Sequence, residues 1–119
     1  MKLNETQRAL IVKARENLLA HFDDAGYQNE YICHQVYFAD QGLFEMPAGK
    51  SFFEVVRDCS ADAFALLDAV EIAINNHGTM EGFIWKCAGV DYQRTPYKGY
   101  AYLARLAWLE KMIETGEIA

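Results

Sequence analysis

Cys33 and His34 stand side by side, and a thiol beside an imidazole is the pairing from which a cysteine nucleophile and its base are made. On a helix, however, adjacent side chains diverge by about 100° and do not face each other. A working dyad would need His21 or His77 carried to Cys33 by the fold, and the sequence favours a small buried thiol beside a half-buried imidazole. Together with Cys59 and Cys87 the same residues invite a zinc site. They are spread singly along the chain, with no C-x-x-C or H-x-x-x-H pair to mark one. No catalytic residue, metal ligand or cofactor is therefore expected, and a small Cys/His hydrolase or metal enzyme stands as an alternative. G-x-G-x-x-G, P-loop, G-x-S-x-G and H-E-x-x-H motifs are all missing from the sequence. His77, beside Asn75, Asn76 and Gly78, suits the free carbonyls of a helix end.

The carboxylates carry a stronger pattern. Residues 23–81 hold eleven Asp/Glu against only Lys50 and Arg57, a balance of −9, whereas residues 1–22 come to +2 and residues 82–119 to +1. The middle of the chain thus repels phosphate and attracts basic surfaces, which disfavours direct nucleic-acid binding. Glu54 and Asp58 are spaced i, i+4, Asp62 continues the row if the helix is unbroken, and Asp68 lies within about 80° of it. A solvated helix face and a docking face both fit this row. On the docking reading, Asp40, Glu45, Glu54, Asp58, Asp62, Asp68 and Glu71 contact a partner protein, with Asp23, Asp24 and Glu30 adding to the field.

Tyr92, Tyr97, Tyr100 and Trp108 gather with Arg94, Lys98 and Arg105 near the C-terminus. Aromatic and basic residues together can stack on bases, and they are equally the residues of protein interfaces. Ala101, Ala104 and Ala107 leave a low surface between the aromatics, so self-association is preferred. The expected homodimer interface comprises Tyr100, Ala104, Ala107, Trp108 and Lys111, on the side of the last helix away from its apolar stripe.

The elements that position these residues read as helices. Asn4 and Gln7 have capping-box spacing ahead of a stripe at Ile11, Ala14, Leu18 and Phe22, predicting a helix over 5–24. Asn29 caps a second helix with Ile32, Val36 and Ala39 on one face, ending near Gly42, before a loop over 43–50. Ser51 and Glu54 form a capping box for a third helix to Cys59. Ser60 or Asp62 caps a fourth with the stripe Ala63, Leu67, Val70 and Ile74, stopped by Gly78. Thr79 caps a short fifth helix to Gly89, which Gly82 weakens. The last runs from Thr95 and Pro96 to Gly116, with Tyr102, Leu106, Leu109 and Ile113 as its stripe, widened by Leu103 and Met112. The expected fold is all-α: a compact single-domain bundle of five to six helices, spanning 1–119, with a long C-terminal helix. Its core is expected from Ile11, Leu18, Phe22, Ile32, Val36, Leu67, Val70, Ile74, Leu106, Leu109 and Ile113.

Composition agrees with a folded, water-soluble chain. Over 119 residues, 52% are apolar and only two are proline, which argues against disorder, and no apolar run approaches the ~20 residues of a membrane span. Met1–Arg8 is polar and lacks the apolar core of a signal peptide, while three cysteines suit reduced thiols, so a cytoplasmic location is expected. The segments 31–36, YICHQV, and 103–113, LARLAWLEKMI, resemble small accessory proteins of tailed phages and prophages, with their Tyr-Ile-Cys start and Arg-Leu-Ala-Trp-Leu final helix. That resemblance implies a helical protein acting in the host cytoplasm. It also implies a non-enzymatic, anti-CRISPR-like inhibitor that occupies a basic, nucleic-acid-binding surface of a host defence complex, or else a helical structural subunit of a phage assembly. No site residue transfers from it.

Overall fold

A computed structural model describes residues 1–28, 30–37, 39, 49, 54, 60–89 and 100–118; for Tyr37, Tyr100 and Ala101 it describes the backbone alone. Among these residues the secondary structure is six helices with no strand, so the fold is an all-α bundle. The predicted third helix and loop lie outside the described residues, apart from a helical Glu54 and Gly49, as does the predicted start at Thr95.

Helix α1 spans Glu5–Ala20 and starts where the capping box places it: Gln7 N–H donates to Asn4 Oδ1 at 2.9 Å and Asn4 N–H to Gln7 Oε1 at 3.0 Å. Leu10, Ile11, Ala14 and Leu18 face inward. The helix ends four residues earlier than expected, because His21 caps it, with its N–H on the carbonyls of Asn17 and Leu18. Phe22, predicted as core, is turned off the helix and is 67% exposed. Asp24 then accepts from Tyr27 N–H at 3.1 Å and starts a one-turn helix, α2, at Ala25–Gln28, which the sequence reading does not include. Buried Gln28 fixes the turn by donating to the carbonyls of His21 and Phe22. Helix α3, Ile32–Tyr37, buries Ile32, Cys33, Gln35 and Val36.

Helix α4 spans Ala61–His77. Of its two candidate caps the chain uses Ser60, whose Oγ accepts from Ala63 N–H at 3.2 Å, and Gly78 ends it at a φ of 115°. Helix α5, Met80–Ala88, begins at Thr79, whose hydroxyl accepts from Gly82 N–H at 3.2 Å. Gly82 has a structural reason to be there despite its poor helix propensity. A Cβ at that position would sit 2.6 Å from the Thr79 hydroxyl and 2.9 Å from His77 Nε2, so only glycine lets both side chains close over the first turn. Helix α6, Tyr100–Thr115, stops at Gly116 with a φ of 71°.

One hydrophobic cluster draws on all six helices. α6 packs between α1 and α5, α4 against α1, α3 and α5, and α1 also against α3. The chain ends meet beside α6: Leu3 N–H donates to Gly116 C=O at 2.8 Å and Ile118 N–H to Met1 C=O at 3.0 Å.

The packing of α6 corrects the expected stripe. Ala104, Arg105, Trp108, Leu109 and Met112 are buried, whereas Tyr102, Leu106 and Ile113 are half-buried and Leu103 is 40% exposed. The inward face is rotated by roughly 100° from the apolar stripe. The cause is the helix's place between two neighbours. Ala104 is small enough for close approach, and the Trp108 indole packs edge-on against Phe83 at 5.8 Å.

Candidate protein-binding surface and the polar interior

The inhibitory or docking residues expected from the sequence separate into three groups. Asp40, Glu45 and Asp58 lie outside the described residues. Glu54 and Asp68 are exposed, as are Asp23 and Asp24. Asp62 and Glu71 are half-buried and already engaged within the molecule. Asp62 Oδ1 accepts from Asn4 Nδ2 at 2.9 Å and its carbonyl from Gln7 Nε2 at 3.0 Å, so it ties the start of α4 to the capping box of α1. Because Ser60 is the cap, Asp62 is released for this tie. The Glu71 charge acts on Tyr31 and Cys33, raising the pKa of both. Only Asp68, of the three α4 acids, points fully outward.

The outward face of α4 holds what the charge pattern missed. Opposite its buried line of Ala63, Leu67, Val70 and Ile74 run Phe64, Asp68 and Ile72 at i, i+4 and i+8, with Phe64 43% and Ile72 52% exposed. Ala61, Ala65, Asn75 and Asn76 complete that side. The signal was present in the sequence as two large apolar residues lying off the main stripe of a long helix.

The residues assigned to a dimer interface fall differently. Ala104 and Trp108 are wholly inside the monomer, a correction that follows from the rotation of α6, and neither can meet a second chain. Ala107 is half-buried, and exposed Lys111 donates to Cys87 C=O at 3.0 Å. The side chain of Tyr100 lies outside the described atoms. Self-association through this face thereby loses the exposed indole on which it rested.

Two polar groupings occupy the interior. Arg105 is completely buried; its guanidinium donates to Glu81 Oε1 at 2.6 Å and to the backbone carbonyl of Glu30, joining α6 to α5 and to the start of α3. A charge so placed is tolerable only because these acceptors replace water. The sequence does not mark Arg105 as interior, since an arginine among apolar neighbours gives no sign of which side its partner lies on.

The second grouping is Tyr31, Cys33 and Glu71. Burial pushes the Cys33 thiol up to about 12, only partly opposed by its hydrogen bond with Tyr31 and assisted by the Glu71 charge. Burial raises Tyr31 as well. A thiol held this firmly protonated is not an activated nucleophile. His34 is turned to Glu30, with Nδ1 at 3.6 Å from Oε1, and meets the Tyr31 ring edge-on. Stacked on Tyr27 at 4.2 Å, the His21 ring has Nδ1 2.7 Å from Asn17 C=O. Among the described residues no three His, Cys, Asp or Glu side chains gather as a metal site, and no helix is long and apolar enough to cross a membrane.

The outer side of α4 is exposed apolar surface around one carboxylate, and the interior groups hold the bundle together. No protein family, curated protein or solved structure matched this chain.

Proposed function

We propose that this protein is a non-enzymatic binding protein whose acidic middle docks on a basic, nucleic-acid-binding surface of another protein. The observation that carries this reading is the segregation of charge, −9 over residues 23–81 between two slightly positive ends, with Asp23, Asp24, Glu54 and Asp68 all directed to solvent. A protonated, buried Cys33 supports binding over thiol chemistry. The resemblance to phage accessory proteins supplies the setting, a host defence complex whose nucleic-acid channel the acidic surface would occupy in the cytoplasm.

The test is a competition. A purified nucleic-acid-binding defence complex is titrated with the protein across a salt series, with and without duplex DNA. Inhibition that weakens with salt and with added DNA is expected. Asp23→Lys with Asp68→Lys is the informative variant, because both side chains are exposed, whereas Asp62 is occupied by Asn4. It should slow association and flatten the salt dependence. Equal inhibition by parent and variant at low salt would remove the reading.

A further inference from the structure

We infer that the outward face of α4 is a docking site for a cationic amphipathic helix of another protein, with Phe64 and Ile72 as apolar anchors around Asp68. A surface helix ordinarily turns charged and polar side chains to water. Here the line opposite the core places Phe64 and Ile72 about 12 Å apart along the helix, at 43% and 52% exposure, with one carboxylate between them. Ala61 and Ala65 beside Phe64 are small, which allows a second helix to approach closely.

The charge on this helix selects the occupant. The seventeen residues Ala61–His77 contain Asp62, Asp68 and Glu71 and not one Lys or Arg, so Asp68 has no cation at i±3 or i±4. A second copy docking face to face about a two-fold axis would set Asp68 against Asp68. Anionic lipid is repelled for the same reason. A helix with Leu-like residues on one side and Lys or Arg at its border answers both features, since its apolar side covers the anchors and its cation meets the carboxylate. The inference rests on the acidic-docking reading above and narrows it to one surface and one shape of partner.

A fluorescently labelled synthetic peptide of about 18 residues, Leu and Lys patterned at helical period, serves as the probe. A scrambled peptide of the same composition and a Leu/Glu peptide of the same pattern are the controls. The patterned basic peptide should bind with anisotropy that falls as salt is added, and more tightly than either control. Phe64→Ser with Ile72→Ser should weaken it about tenfold through lost apolar area. Asp68→Lys should weaken it to a similar degree while leaving the anchors in place, and circular dichroism verifies that each variant is folded. Undiminished binding by both variants overturns the α4 site, although salt-sensitive binding elsewhere would leave the acidic-docking reading standing. Absence of binding to either basic peptide at low salt defeats both. Sedimentation showing a dimer of the parent protein that Phe64→Ser dissolves would give the face to a second copy and overturn the proposed occupant.

Discussion

Helices α4 and α6 are nearly equal in length, and they hide opposite things. α6 takes a guanidinium and an indole completely inside, while α4 leaves a phenylalanine and an isoleucine half in water. Residue type alone would have assigned the reverse. α6 lies between α1 and α5, and its inward arc is set by what those two helices can accept: Phe83 receives the Trp108 ring, and Glu81 with the Glu30 carbonyl receives Arg105. The buried positions of α4 fall on a single arc, and Phe64, Asp68 and Ile72 on its other side are exposed. Burial follows the supply of neighbours, and a polar group can join the interior when its acceptors are already waiting there.

Substitutions break this contrast in a graded way. Trp108→Ala removes the largest fully buried side chain and should cost about 3–5 kcal/mol in denaturant unfolding. A loss near zero would return Trp108 to the surface. Arg105→Ala should cost about 3 kcal/mol, because it leaves the Glu81 carboxylate and Glu30 carbonyl without their donor. Paired with Glu81→Ala it should cost less than the two singles together, and strict additivity in that double-mutant cycle would show that the pair is not coupled.

Cys33 sharpens the inner side of the comparison through pH. Its thiol is held to about 12 when folded against 9.0 ordinarily, so above pH 9 the unfolded chain releases a proton that the native chain keeps. Stability therefore falls as pH rises from 9 toward 12, by at most about 1.4 kcal/mol per pH unit for this group. Cys33→Ala should flatten that slope, and an unchanged slope would place the titration elsewhere. Smallest of all, Phe64→Ser and Ile72→Ser should each cost only about 1 kcal/mol, because about half of each side chain is already in water. A loss of several kcal/mol would make that face part of the folded interior and end its candidacy as a docking site.

Local signals were legible in the sequence wherever the chain itself supplies both partners. The Asn4–Gln7 box, Thr79 as a cap, and the stops at Gly78, Gly89 and Gly116 involve contacts within a few residues. The stripe of α4 and, apart from Phe22, that of α1 face the core as periodicity places them. Phe22 failed because the end of α1 depended on His21 and on Gln28, seven residues further along, closing the turn. The face of α6 failed for a longer-range reason: its rotation depends on Phe83 and Glu81, more than twenty residues away, and periodicity carries no information about them. Of the docking residues, the sequence could find the acids by charge but could not foresee that Asn4 would claim Asp62.

The pairing of α1 with α6 also sets an order of events during synthesis. About eighty residues separate Ala20 from Tyr100, and at ribosomal speeds of about 5–20 residues per second α1 waits roughly 4–16 s for its principal neighbour to be made. Through that interval, among the described helices, α3 and α4 are the main cover for Leu10, Ile11, Ala14 and Leu18. The nascent chain is thus most vulnerable to chaperone capture and proteolysis just before α6 emerges, and the contacts that close the bundle are those of greatest sequence separation.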